Sequence, residues 1–223
     1  MLRAVPSMKW LNSRNRKEAD RLIKEIRARG EKVKVDLGCG FRKKGNIGID
    51  ITKENTDADL VCNLGFEPLP LPDNSVHKIV CRDFLEHLPK AYYSEATKRL
   101  KYPIIDLMNE IWRVLRPGGT FTSHTPCHPH VEVHRDPTHL SVWTLESMDY
   151  FCGKYRVAKI YGVKEWFELV ENRMDGFYLY AVLRKPKPPK KDANAPAEAG
   201  VETPTPSPVA TKASELSTDN AGQ

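Results

Sequence analysis

The sequence predicts an α/β protein built on a mostly parallel sheet with helices on both faces. Three observations predict it. Short β-branched runs recur from Val33 to His124 with turn and helix signals between them. The first run ends in an acid that passes into a Gly-x-Gly turn, Asp36-Leu37-Gly38-Cys39-Gly40, and the second closes on Gly48-Ile49-Asp50. In sheets of this kind a ligand lies at the carboxyl ends of the strands, where both acids fall.

In chain order, Arg14 to Arg29 is expected to be a helix: Ala19, Leu22, Ile23 and Ile26 share one face, and Gly30 stops it. Strands are expected at Val33–Leu37, Asn46–Ile51, Leu60–Leu64 and His77–Cys81. Ser94–Leu115 reads as helical, interrupted at Pro103, with Ile104, Ile105, Leu107, Met108, Ile111, Trp112 and Leu115 as its apolar stripe. Pro117-Gly118-Gly119 then turns the chain into a fifth strand, Thr120–His124. Thr144, followed by Glu146 and Ser147, marks a helix start that points Met148 and Phe151 inward. Two late strands are expected at Arg156–Tyr161 and Phe177–Leu183.

Composition bounds the class. The chain has 223 residues, 40% of them apolar and 29% charged, and no apolar run near the ~20 residues that span a bilayer. The expectation is a soluble, cytoplasmic protein. Its five cysteines are scattered without a C-x-x-C pair, which disfavours a disulfide framework or a thiolate zinc site. The net charge of +6 resides at one end: residues 1–34 hold 11 Lys/Arg against 4 Asp/Glu, residues 35–184 hold 19 against 20, and residues 185–223 hold 5 against 5. The expected organisation is therefore a basic helical extension over 1–30, a domain over 31–184 and a tail over 185–223. That tail has 7 prolines and no aromatic residue, and it cannot bury enough apolar surface to order itself.

The Gly-x-Gly turn lets backbone approach a ligand closely. It is no phosphate loop: Gly-Lys-Ser/Thr is missing, and Lys43 stands where a third glycine would be. An acid such as Asp50 at the end of a second parallel strand suits ribose hydroxyls.

Five ordered motifs resemble those of the class I S-adenosylmethionine-dependent methyltransferases: Val35 to Gly40, Gly48 to Asp50, Leu69-Pro70-Leu71-Pro72-Asp73-Asn74-Ser75, Phe84-Leu85-Glu86-His87-Leu88 and Arg113-Val114-Leu115-Arg116-Pro117-Gly118-Gly119. The short stretch from Gly40 to Gly48, with Asp136-Pro137-Thr138-His139 later, resembles a branch whose first helix is reduced. The resemblance spans about Lys32 to Arg184 and implies a Rossmann-like, seven-stranded, mostly parallel sheet with an antiparallel last strand. It implies S-adenosyl-L-methionine as cofactor, with Asp36, Gly38, Cys39 and Gly40 along the methionine part, Asp50 on the ribose, and Asn63 and Leu64 beside the adenine. Asp83, just after the fourth strand, would face the methyl group or the acceptor.

A sulfonium methyl is already activated, so the enzyme mainly aligns the acceptor and, where needed, removes a proton. Asp83, His87 and His139 are the candidate catalytic groups. Glu86 and His87 can also be read as a capping or helix-packing pair. His124, His128, His130, His134 and His139 lie within 16 residues, together with Cys127, Glu132 and Asp136. They can be read as a divalent-metal site, as acceptor contacts, or as a polar loop; no metal ligand set is assigned. His124, His128, Asp136 and Trp143 are taken as the acceptor pocket.

Cys127 follows the fifth strand much as the nucleophile of RNA cytosine methyltransferases does. The accompanying Pro-Cys after the fourth strand is missing, since Cys81-Arg82-Asp83-Phe84 stands there. No Asp/Asn-Pro-Pro-Tyr/Phe stretch occurs. The acceptor is accordingly expected to be a small molecule, a sugar or another hydroxylated metabolite methylated on oxygen or nitrogen. A nucleic-acid methyltransferase using the basic first segment, and a non-catalytic binding module, are the alternatives.

Overall fold

The computed structural model describes residues 8–189; of the tail expected over 185–223, everything from residue 190 on lies outside them. The elements run α1 (Met8–Ala28), β1 (Lys34–Leu37), β2 (Ile47–Asp50), β3 (Leu60–Val61), β4 (Val76–Arg82), β5 (Tyr92–Ser94), β6 (Arg99–Lys101), α2 (Pro103–Val114), β7 (Leu115–Pro126), α3 (Glu132–Arg135), β8 (Glu168–Asp175) and β9 (Tyr178–Arg184). Seven of the strands form one sheet in the order β3-β2-β1-β4-β7-β9-β8. Neighbours from β3 through β7 pair in parallel, and β9 runs antiparallel to both β7 and β8. This is the Rossmann-like architecture expected. The chain leaves β1 toward β2 on one side and returns to β4 on the other, so the switch point lies between the carboxyl ends of β1 and β4.

The central strands read as near-continuous apolar runs because both faces are covered. Val35, Leu37, Ile47, Ile49, Ile79 and Phe121 are fully buried, and α2 packs Leu107, Met108 and Ile111 on them. The helix expected at 14–29 runs through α1. Its Ala19, Ile23 and Ile26 belong to the same core, and Asn15 donates to the Val61 carbonyl at the end of β3 (2.6 Å). Part of its positive charge is consumed locally, with Arg21 paired to Glu18 and Glu25. No described helix is long and apolar enough to cross a membrane. All five cysteines are free thiols, four of them buried.

Two motifs prove structural. Arg113 on α2 donates to the Leu69 and Leu71 carbonyls and pairs with Asp73 and Glu110, while Glu110 accepts from the Leu69 N–H. The helix thereby holds the Leu-Pro-Leu-Pro-Asp segment by its backbone. Lys185, just past β9, is buried and donates to Asn74 and to the Trp112 carbonyl beneath it.

Three elements differ from expectation. Residues 94–101, read as helical, belong instead to the antiparallel pair of β5 (Tyr92–Ser94) and β6 (Arg99–Lys101), and the helix begins only at Pro103. Tyr92 and Tyr93 supply β propensity there, and Pro103 fits a first helical turn better than an interior. Arg156–Lys159 is a 3-10 turn, and the sheet's outer strand is β8 instead. As an edge strand exposed along nearly its whole length, β8 lacks apolar alternation, and its charges suit an edge. Thr144 does start a helical segment, a 3-10 turn over Leu145–Phe151 closed by a reciprocal Thr144–Ser147 capping box, with Met148 and Phe151 buried.

Candidate active site

β1 and β2 end side by side, with Asp36 opposite Gly48 and Leu37 opposite Ile49. Gly38 (φ +66°) and Gly40 (φ +49°) both adopt left-handed backbone, which glycine takes without strain. A Cβ on Gly38 would lie 2.7 Å from the Phe84 side chain, whereas one on Gly40 would meet nothing within 4 Å and would project into open space. The Asp50 carboxylate caps this turn, accepting from the Gly40 N–H (2.9 Å) and the Ile51 N–H (2.7 Å). Each oxygen retains acceptor capacity for a ligand hydroxyl. Asp36 is buried and accepts from the Lys44 N–H (2.6 Å), and burial pushes its carboxyl above the usual range. Burial, reinforced by Asp50 and Asp36, pushes the Cys39 thiol up to about 12, so it remains a neutral wall of the turn. After β3, Asn63 is exposed and Leu64 buried, with the Asn63 N–H on the Glu67 carboxylate (3.1 Å).

A cavity of about 640 Å³ opens over this turn, lined by Asp36, Gly38, Gly40, Arg82, Asp83 and Tyr178 among others. A second, of about 440 Å³, is lined by Asp83, Glu86, His87, Asp136, His139 and Tyr178 with a few neighbours. Asp83 and Tyr178 border both. Asp83 has φ +51°, a left-handed conformation uncommon for a residue with a side chain. Its N–H is held by the His124 carbonyl across β4–β7 (3.1 Å), and its neighbour Arg82 lies over the Tyr178 ring. Burial and the Asp83 carboxylate push the Tyr178 hydroxyl above its ordinary value.

Glu86 is buried, and Thr125 donates to its Oε2 (2.6 Å). Oε1 has no hydrogen-bond partner, and His139 Nε2 lies 3.9 Å away. Burial pushes this carboxyl upward, against the Thr125 bond. The neighbouring His87 and His139 rings sit edge to face, 5.0 Å between centroids.

The histidine-rich segment does not converge. His124 packs between Tyr178 and Tyr180 within the sheet, and burial lowers its basicity. His128, His130 and His134 are exposed, His130 stacked on Phe177. Only His139 reaches the second cavity, where it meets His87 from the other side. Asp136 also lines that cavity, accepting from the Thr138 N–H and hydroxyl (both 2.7 Å). Trp143, taken with the acceptor pocket, is buried against a different, aromatic cavity of about 640 Å³ that includes Tyr102, Tyr150 and Tyr161. Glu86, which the sequence allows with His87 as either a packing pair or a substrate contact, is buried at the wall of the second cavity. Its signal in the sequence is an acid amid Phe84, Leu85 and Leu88, which composition alone does not separate from a cap.

Residues 35–123 match the family model described as a methyltransferase domain. The chain is similar to solved structures that include a SAM-dependent methyltransferase of Methanosarcina mazei (16% identity, 70% of this chain and 94% of that one, TM-score 0.48). Others are one of Archaeoglobus fulgidus (13%, 75% and 94%, 0.45) and the 16S rRNA (adenine(1408)-N(1))-methyltransferase of Catenulisporales acidiphilia (10%, 78% and 92%, 0.44). No curated protein matches the chain.

Proposed function

We propose that this chain is a class I S-adenosylmethionine-dependent methyltransferase that moves a methyl group to an oxygen or nitrogen of a small molecule, a sugar or another hydroxylated metabolite. The cofactor supplies a methyl carbon already activated by the sulfonium. The observation that carries the reading is the pair of cavities bordered in common by Asp83 and Tyr178. The cavity over the Gly38–Gly40 turn is the cofactor side. The other, with four acids and two histidines on its wall, is the acceptor side.

On the cofactor side the open space above Gly40 and the spare acceptor capacity of Asp50 fit a nucleoside ligand. Asp50→Ala removes a charged acceptor for ribose hydroxyls and the cap on the Gly40 N–H together. At ~1.5–3 kcal/mol for a hydrogen bond to a charged group, cofactor affinity is expected to fall by roughly 10- to 100-fold, read by calorimetric titration. An unchanged affinity would remove Asp50 from the cofactor site.

On the acceptor side, hydroxyl or amine groups find acceptors in Asp83, Asp136 and the imidazoles, and a substrate proton has a base within the same cavity. That wall carries one basic side chain, Arg135, against its four acids. The direct test is transfer from labelled cofactor into cell extract, separated into small-molecule, protein and nucleic-acid fractions. Label is expected in the small-molecule fraction. Label confined to nucleic acid, with binding that weakens steeply as salt rises, would replace this reading with the nucleic-acid one.

A further inference from the structure

We propose that Glu86, His87 and His139 hold a divalent first-row transition-metal ion in the acceptor-side cavity, leaving positions open to the acceptor. One ligand atom from each of the three lies within 4.8 Å of the others. Metal bonds of ~2.0–2.2 Å require these groups to draw together by on the order of 1 Å, a side-chain movement.

The hydrogen bonds around the trio settle which atoms face inward. His139 Nδ1 lies 3.0 Å from the Val133 carbonyl, which only accepts, so Nδ1 carries the proton and Nε2 presents a lone pair. Thr138 spends its single hydroxyl proton on Asp136, so both Thr138 oxygens near His87 Nδ1, the hydroxyl at 3.0 Å and the carbonyl at 3.2 Å, are acceptors. His87 therefore also carries its proton on Nδ1 and offers Nε2. Fixing the tautomer through the far nitrogen is the usual support of a metal-bound imidazole. The Asp136-Pro137-Thr138-His139 segment supplies one ligand and the anchor of a second.

The independent observation is Glu86. The residue is 2% exposed, and its Oε1 is a buried acceptor without a donor. It faces His139 Nε2, another acceptor, across 3.9 Å. Two lone pairs opposed at that distance make no hydrogen bond, and a buried polar atom left so is costly. A cation about 2 Å from each satisfies both. Two imidazoles with one carboxylate suit zinc and ferrous-type ions and leave coordination positions free. The proposal rests on the methyl-transfer reading only for what would occupy those positions.

The test titrates the untagged full chain, freed of metal with a chelator, with zinc alone by calorimetry, and with cobalt(II) alone by its visible absorption. One ion per chain is expected. His87→Ala and His139→Ala should each weaken binding at least tenfold, and Thr138→Val, which touches no metal, by roughly 10- to 100-fold. A variant with His128, His130 and His134 all changed to alanine should bind as the wild type does. Cofactor titration of each variant reports that it is folded; should His139→Ala fail there, His87→Ala and Thr138→Val still decide. Absence of one-to-one binding, or binding that survives His87→Ala or follows the exposed histidines, overturns the site and leaves a proton between Glu86 and His139. Metal binding without transfer to any small molecule would overturn the acceptor reading and leave this one standing.

Discussion

Asp83→Asn is expected to lower kcat by roughly 10²- to 10⁴-fold, the range for loss of a general base, while cofactor affinity changes by less than about threefold. Asparagine is chosen because the position is left-handed, at φ +51°, and Asn, like Asp, tolerates that backbone. The N–H bond to the His124 carbonyl survives the change, so β4 still ends where it does. What is lost is the carboxylate at the boundary of the two cavities, where an acceptor proton would leave as the methyl arrives. Single-turnover transfer with labelled cofactor, beside calorimetric titration of the same variant, separates the two effects. A large loss of cofactor affinity with the transfer rate intact would move Asp83 to the cofactor side.

The left-handed backbone at Asp83 follows from its place. It is the first residue after β4, at the switch point, and must turn the chain toward Leu85–His87 while keeping its N–H on β7. The sequence carries this only indirectly, as an acid after a strand. Apolar strands and the glycine turn were legible because burial and positive φ restrict residue type: Val35, Leu37, Ile47 and Ile49 admit little else, and Gly38 has no room for a Cβ. Edge elements leave no such trace. β8 is solvated, so its composition is free, and the β5–β6 pair lies outside the main sheet.

The histidines show the same division. Spacing within 16 residues suggested one cluster, yet the chain extends through β7, turns at α3 and returns, which carries His124 into the sheet and leaves three others in solvent. Proximity in sequence is informative along a helix face or a tight loop, not across a strand that ends and a loop that turns back. The partner of His139 is His87, from 52 positions earlier, and no local pattern announces it. Likewise Arg113, within one of the motifs on which the resemblance rests, contributes by fastening the Leu-Pro-Leu-Pro-Asp backbone, so motif membership does not separate chemistry from architecture.

Glu86→Gln is expected to abolish metal binding and yet stabilise the metal-free protein. Burial raises the folded-state pKa of Glu86, so in the range above its ordinary value of 4.5 the folded chain keeps a proton that the unfolded chain has released. Stability then falls as pH rises, because more protons are bound in the native state than in the unfolded one. Its contribution is fully present below the unfolded pKa and is lost as pH rises through the folded one. Glutamine has no charge to desolvate. Its carbonyl can accept from Thr125 as Oε2 does, and its amide can donate to His139 Nε2, replacing two opposed acceptors with a hydrogen bond of roughly 1 kcal/mol. Melting wild type and variant in chelator between about pH 4 and pH 8 reads the difference. The variant's advantage should grow with pH, and zinc should raise the melting temperature of the wild type alone, since ligand binding to the native state stabilises it. A variant less stable than wild type across that range would mean the Glu86 carboxylate serves the fold, and the unpartnered oxygen would then have found a partner in solution.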